Sequence, residues 1–280
     1  KECSTAEIGI TRDTYGEGES RAHGLLGEMA RSFGLEVSTD AAANTYMTLP
    51  GVDRGAPRVI IGSHLDSVPN GGNFDGAAGV VAGLVCLKAL SDAGFRPECD
   101  ISVMGIRAEE SVWFQISYIG SRAALGNLPP NALAAPRIDT GEPLAAHIAA
   151  SGGDPDALER GVAALKPQEV RAFLELHIEQ APSLVELGKS IGIGIAIPGN
   201  FRFPDVRITG VYGHVGTPRR FRRDAVLAAT EFAHRLDAIW KRLEEEGTPM
   251  AMTLGRFHTN IEAHGLTTVP GELFLSIDIR

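Results

Sequence analysis

Apolar positions along this chain fall into two kinds of run, and their alternation predicts the architecture. Between residues 18 and 34, Leu25, Met29 and Phe33 recur every fourth position with Leu26 alongside. That is the period of an amphipathic helix, and Gly34 supplies its stop. Residues 35–37 and 45–49 read as short strands. Val59-Ile60-Ile61 is β-branched and too short for a helix, so it reads as a buried strand, as do 100–106 and 171–176. Residues 76–90 read as a helix packed on the sheet. Helix alternating with strand is the pattern of an α/β sheet, and such sheets bind ligands at the carboxyl ends of their strands.

Further along the pattern changes. Pro129-Pro130, Pro136, Gly152-Gly153, Pro155 and Pro167 break residues 127–168 into short helices and loops. Gly192, Gly194, Pro198 and Gly199 look like a crossing between domains. Beyond it, 205–213 reads as a strand with Val206, Ile208 and Tyr212 on one face. Residues 224–246 carry the clearest helical stripe: Ala225, Ala228, Ala229, Phe232, Leu236, Ile239, Trp240 and Leu243. Two strands, 250–257 and 272–279, follow. The expected fold class is α/β. Residues 1–198 would hold a mixed sheet flanked by helices, and 199–280 a smaller α+β unit of one helix on a short antiparallel sheet.

Composition narrows the partners. A hydrophobic fraction of 44% over 280 residues suffices for one large core or two smaller ones. The net charge of −9, from 26 basic and 35 acidic residues, argues against a nucleic-acid partner. No apolar run approaches the ~18 residues of a membrane span, and Lys1 opens no signal peptide. Cys3, Cys86 and Cys99 lack CxxC spacing, so free thiols in a reducing, cytoplasmic compartment are expected, with Cys86 in the core.

The chemistry gathers at the strand ends. His64, Asp75, Glu110 and His177 are all of metal-ligand type and each follows a predicted strand. Imidazole mixed with carboxylate suits Zn²⁺, Mn²⁺, Ni²⁺ or Co²⁺, whereas Ca²⁺ would want oxygen alone. Asp66 can accept a hydrogen bond from the other nitrogen of His64 and fix its tautomer. Adjacent residues point apart, so one of Glu109 and Glu110 can bind metal while its neighbour faces substrate and takes a proton from metal-activated water. His214 lies in a glycine-bounded turn, where substrate contact and a structural role are about evenly matched. Arg219, Arg220, Arg222 and Arg223 read as solvated surface with some pairing to Asp224. Arg280 can take a carboxylate in fork geometry.

Taken together, GSHLDSVPNGGNFDG (residues 62–76), Glu109-Glu110, ELHIEQ (175–180), GHVGTPRRFRRDA (213–225) and VPGELFLSIDIR (269–280) resemble a known family. It is that of the dinuclear-metal amidohydrolases and metallopeptidases related to aminoacylase and carboxypeptidase G. ELHIEQ points to the hydantoinase/carbamoylase branch: N-carbamoyl-L-amino-acid amidohydrolase, β-ureidopropionase and allantoate amidohydrolase. The resemblance runs from residue 9 to 280. It implies two divalent ions, Zn²⁺ first among the candidates. His64 and His177 would bind one ion, Asp75 would bridge and Glu110 would bind the second. Glu109 would be the general base, and Gln180, His214 and Arg280 would contact substrate. It also implies that 1–198 is a catalytic domain and 199–280 a lid and dimerisation domain of a homodimer, with His214 reaching the partner's site.

Departures from the family pattern fall around the substrate. Ala181 stands where Gly usually follows HIEQ, Ser111-Val112-Trp113-Phe114 replaces Gly-x-Arg-Phe, and Thr267 replaces an Asn. Family members also continue well past this length, and that continuation carries a last His ligand, so the chain is expected to be a fragment. The activity expected is hydrolysis of a C–N bond in a small non-peptide amide, an N-carbamoyl amino acid or a ureido compound. The alternatives are an aminoacylase or dipeptidase on the same site, or a relative that only binds ligand.

Overall fold

The computed structural model describes residues 8–197 and 199–280. The chain forms two compact units that divide between Gly188 and Lys189. Cys3 lies outside the described residues.

The first unit opens with α1 (Glu17–Ser32). Its acidic first turn and Arg31 in the last turn complement the helix dipole. Gly34, at φ +77°, ends it: Gly34 N donates to Arg31 O and Leu35 N to Ala30 O, both at 3.0 Å. The buried stripe is Ala22, Leu26 and Ala30, whereas Leu25 is 49% exposed and Met29 40%. The helix is thus rotated one position from the expected Leu25–Met29–Phe33 face. Small residues bring its backbone close to the sheet, and only Phe33 of that trio packs against the core.

Strands β1 (Glu36–Thr39), β2 (Thr45–Leu49), β3 (Arg58–His64), β4 (Ile101–Ile106) and β5 (Val170–Leu174) form one mixed sheet in the order β1-β2-β4-β3-β5. The β1–β2 and β2–β4 pairs are antiparallel, and β3 runs parallel to both β4 and β5. Between β3 and β4 lies α2 (Ala77–Asp92). Met47, Val103, Val80, Leu84 and Leu87 join α1 and α2 to one face of the sheet. Tyr46, Ile60, Met104 and Ile106 belong to the opposite face. A third cluster joins α3 (Ile119–Ala124), α4 (Leu144–Ala150) and α5 (Pro155–Glu159) to Tyr15, Ala108 and Phe114. The short α6 (Ser183–Glu186) closes the unit. Cys86 lies on the exposed side of α2, contrary to expectation, because the inward face is taken by Gly79, Val80, Gly83, Leu84 and Leu87.

The second unit holds β6 (Phe201–Thr209), β7 (Gly213–His214), α7 (Ala225–Glu245), β8 (Met252–Thr259), β9 (Thr268–Val269) and β10 (Glu272–Ile279). β6, β10 and β8 form an antiparallel sheet in that order. β6 begins earlier than expected and ends at Thr209. Tyr212 therefore leaves the Val206–Ile208 face and donates its hydroxyl to Glu272 Oε2 at 3.1 Å. Ala225, Ala229 and Leu236 pack on Leu273, Leu275 and Ile277, while Phe232 and Ile239 stay exposed. Asp224 is the N-cap of α7, accepting from Val226 N and Leu227 N, so it is not an arginine partner among the observed ion pairs. Among the described residues, no helix is long and apolar enough to cross a membrane.

Candidate metal centre

Parallel register explains how residues far apart in sequence meet. His64 is in register with Ile106, so the segment after β4 begins beside the end of β3. Ile61 pairs with Leu174, and three residues beyond each stand His64 and His177. His64, Asp75 and Glu110 each offer a ligand atom within 4.8 Å of the others. His177 is half exposed, with Nε2 at 3.7 Å from Asp75 Oδ1. Glu109 Oε2 lies 4.0 Å from His64 Nε2.

Asp66 organises this group. It is fully buried, and its oxygens accept from Thr14 Oγ1 at 2.6 Å, Glu109 N at 3.1 Å and Glu110 N at 3.2 Å. His64 Nδ1 sits 3.3 Å from Asp66 Oδ1 and 3.0 Å from its main-chain oxygen. Nδ1 is thereby engaged, which leaves Nε2 turned toward Asp75 at 4.0 Å. Asp66 thus meets His64 Nδ1 mainly through its main-chain oxygen, while its carboxylate accepts from the backbone of the glutamate pair.

The turn that carries the pair is strained. Ala108 has φ +57° and is fully buried. A non-glycine residue there costs about 1–2 kcal/mol, which the surrounding hydrogen bonds must offset. Gly76, at φ +63°, answers a different need. A Cβ there would collide with the main-chain oxygen of His64 and come within 2.6 Å of its ring. Only glycine lets the start of α2 pass so close to the His64 ring.

The electrostatics are those of a cation site. Burial, then Glu109, raises Glu110 to about 7. Glu109 is also raised, chiefly by burial, against the opposing pull of His64. Burial alone would lower His64, but the hydrogen bond and charge of Asp66, with Glu109 and Glu110, outweigh it and lift the imidazole to about 9. Gln180 Nε2 donates to Asp75 Oδ2 at 2.7 Å, so its amide meets a ligand candidate rather than open space. The other oxygen, Asp75 Oδ1, is buried between the two imidazoles and has no hydrogen-bond partner among the described residues. An orphaned carboxylate oxygen facing two imidazoles beside a second carboxylate fits a divalent cation. His64, Asp75, Glu110 and His177 are the residues that would hold one.

The other expected site residues lie in the second unit. His214 is exposed on β7, which pairs with β9, and its Nδ1 accepts from Gly216 N at 3.1 Å. Arg222 holds this loop by donating to Thr217 O at 2.7 Å and to Val215 O. Arg280 contacts Asp278 Oδ2 at 3.3 Å. Trp113, the departure after the glutamate pair, donates Nε1 to Ser67 O at 3.3 Å and lies 4.6 Å beneath the Arg137 guanidinium.

Thr14, Glu19, Asn44 and Arg107 escaped the sequence reading. One signal was available. Glu19, Ala22, His23, Leu26 and Ala30 follow helical spacing, so a glutamate and a histidine share the buried stripe.

Comparison with known proteins gives this arrangement a family. The family model for peptidase family M20/M25/M40 matches residues 60–270. N-carbamoyl-L-amino acid amidohydrolase of Geobacillus stearothermophilus is 37% identical over 273 residues, 97% of this chain and 64% of that protein. Allantoate amidohydrolase of Bacillus subtilis is 30% identical over 278 residues, covering 99% and 65%. The crystal structure of a hydantoinase/carbamoylase family amidase from Burkholderia ambifaria superposes with a TM-score of 0.78 at 34% identity, over 99% of this chain and 65% of that one. The chain therefore spans just under two thirds of each relative. With a matching family model over most of its length and these relatives, the chain belongs to the M20/M25/M40 peptidase family, in its hydantoinase/carbamoylase amidase branch.

Proposed function

We propose that this chain carries the hydrolytic centre for a C–N bond of a small carbamoyl or ureido compound. The observation that carries the reading is the orphaned Asp75 Oδ1, set between His64 and His177 in one cluster with Glu110. We assign the site two divalent ions, with Asp75 shared, His64 and His177 on one and Glu110 on the other. Zn²⁺ is the first candidate and Mn²⁺, Ni²⁺ or Co²⁺ the alternatives. Bound there, such ions supply Lewis acidity that polarises a carbonyl and makes water more acidic.

The chain's own residues do the rest. Glu109 is partly buried and faces the His64 imidazole. Burial raises its carboxyl above the ordinary carboxylate range, which makes it a better proton acceptor. Its carboxylate accepts the proton of the attacking water as the new C–O bond forms. It returns that proton to the nitrogen as the C–N bond breaks, so the amine leaves neutral. Asp66 keeps His64 oriented, and Gln180 holds one oxygen of Asp75.

We assign substrate contact to Gln180, His214 and Arg280, with His214 supplied by the partner subunit of a homodimer. Mixed dimers of Glu109→Gln and His214→Ala should then regain activity that both parents lack. Verified heterodimers as inactive as the parents would place His214 elsewhere.

The substrate class is tested with metal-loaded protein against N-carbamoyl-L-amino acids, allantoate, N-acyl amino acids and dipeptides. Turnover should be confined to the carbamoyl and ureido compounds. Turnover of dipeptides alone would contradict the reading. A metal-loaded full-length protein that binds these compounds and turns over none would identify a relative that only binds ligand.

A further inference from the structure

Four consecutive backbone N–H groups lead into the catalytic pair, and each is taken by a buried side chain. Arg107 N donates to Asn44 Oδ1 at 2.9 Å and Ala108 N to Glu19 Oε1 at 3.0 Å. Glu109 N and Glu110 N donate to the two oxygens of Asp66. Asn44, Glu19 and Asp66 are all fully buried. Ordinary backbone pairs with backbone, and a run of side-chain acceptors marks a segment whose course is set from outside it.

Glu19 occupies the centre of this arrangement. Its other oxygen accepts from Tyr15 N at 2.6 Å and from Arg107 Nη1 at 3.1 Å. Arg107 is buried too, and donates Nε to Ala43 O at 3.0 Å and Nη1 to Ser20 Oγ at 3.1 Å. The carboxylate thus ties three pieces of chain together: the entry to α1, the Arg107 side chain, and the peptide of Ala108. That peptide is the one held in the left-handed region. Released from Glu19, Ala108 would relax toward negative φ and swing Glu109 and Glu110 away from Asp66.

We propose that Glu19 is a positioning residue for the site. It fixes the Ala108 peptide, and through it the carboxylates of Glu109 and Glu110, in the geometry that binds the metal and moves the proton. This rests on the roles given above to Glu109 and Glu110, but the restraint on the backbone does not depend on them.

The test uses the whole chain with Glu19→Gln, and two readouts besides activity. One is Zn²⁺ affinity in a chelator-buffered titration, and the other is amide hydrogen exchange. In Glu19→Gln the amide nitrogen meets a donor on whichever side it lies. Zn²⁺ affinity should fall about 10–100-fold, as for other residues that orient metal ligands. Exchange at Ala108, Glu109 and Glu110 should speed up about tenfold or more, with wild-type rates kept at Ile61 and Val103. With a turned-over substrate, kcat should fall and KM hold, and the loss should nearly vanish in a Glu109→Gln background.

Should Glu19→Gln fail to fold, Glu19→Asp takes its place. It keeps the charge facing Arg107 and withdraws the carboxylate by one methylene, with the same expected direction. Wild-type Zn²⁺ affinity and wild-type exchange at residues 108–110 in a folded variant would overturn the proposal. Exchange raised equally at Ile61 and Val103 would overturn it as well, since that reports general loosening. A wild-type chain silent on every substrate, whose Glu19 variant still shows both local effects, would sustain this assignment and sink only the catalytic reading.

Discussion

Replacing Asp66 with asparagine changes one oxygen into an NH₂ group and almost nothing in size. Glu109 N uses one oxygen of Asp66 and Glu110 N the other, with Thr14 Oγ1 on the same oxygen as Glu110 N. Whichever way the amide turns, its nitrogen faces a backbone N–H. Two buried donors are then left without acceptors, at about 1–3 kcal/mol each, so the unit should lose about 2–6 kcal/mol. A domain is stable by about 5–15 kcal/mol, so the variant should fold but be fragile. Metal affinity should fall about 10–100-fold as His64, Glu109 and Glu110 lose their common anchor. One effect opposes this. Asp66 helps raise His64 to about 9, and that proton competes with metal at neutral pH. Asparagine removes part of the competition, so the affinity loss should be masked near pH 7 and largely visible at pH 9. Urea denaturation and chelator-buffered Zn²⁺ titration at both pH values measure the two quantities. A variant within about 0.5 kcal/mol of wild type, the range of an inconsequential surface change, with unchanged affinity at pH 9, would refute the reasoning.

Glu109→Gln should keep its metal and lose at least about 10²-fold in kcat, as expected for a lost general base, whereas Glu110→Gln should lose metal; elemental analysis beside kinetics separates them. Gly76→Ala forces a Cβ against His64 at positive φ, and should cost more than about 2 kcal/mol in urea denaturation. His23 is almost fully buried, and burial, then Arg107, holds its imidazole well below the usual value of 6.5. Below pH 6.5 the unfolded chain therefore binds a proton that the folded chain refuses. Stability should fall as pH drops from 6.5, by up to about 1.4 kcal/mol per pH unit, and the slope should be missing from His23→Gln in paired urea titrations.

Much of the fold was legible because its signals are local. Gly34 stops α1, β-branched residues mark β3, and proline clusters break 127–168, each acting within a few residues. The ligand candidates were legible because parallel strands carry their residues to one end of the sheet. What was hidden depends on distance in sequence. The rotation of α1 was missed because Leu25 and Met29 outrank Ala22 and Ala30 in hydrophobicity, while close packing on the sheet favours the small residues. Cys86 was misplaced because α2 is apolar around much of its circumference, so composition did not reveal which side faces inward. Glu19, Asn44 and Arg107 were invisible because they act on backbone groups 63 to 89 residues away in sequence. No local pattern records such a bond. Asp66 was found through its neighbour His64, but its grip on the glutamate pair appears only when β3 lies beside β4.

His64, Asp75, Glu110 and His177 would together hold divalent metal. Crystals of the chain grown with Zn²⁺ and measured at the zinc absorption edge test this most directly. Two anomalous peaks are expected, one beside His64, His177 and Asp75 and one beside Asp75 and Glu110, both lost in Asp75→Ala. Density with no anomalous peak at these side chains, while Zn²⁺ is bound elsewhere on the chain, would contradict it.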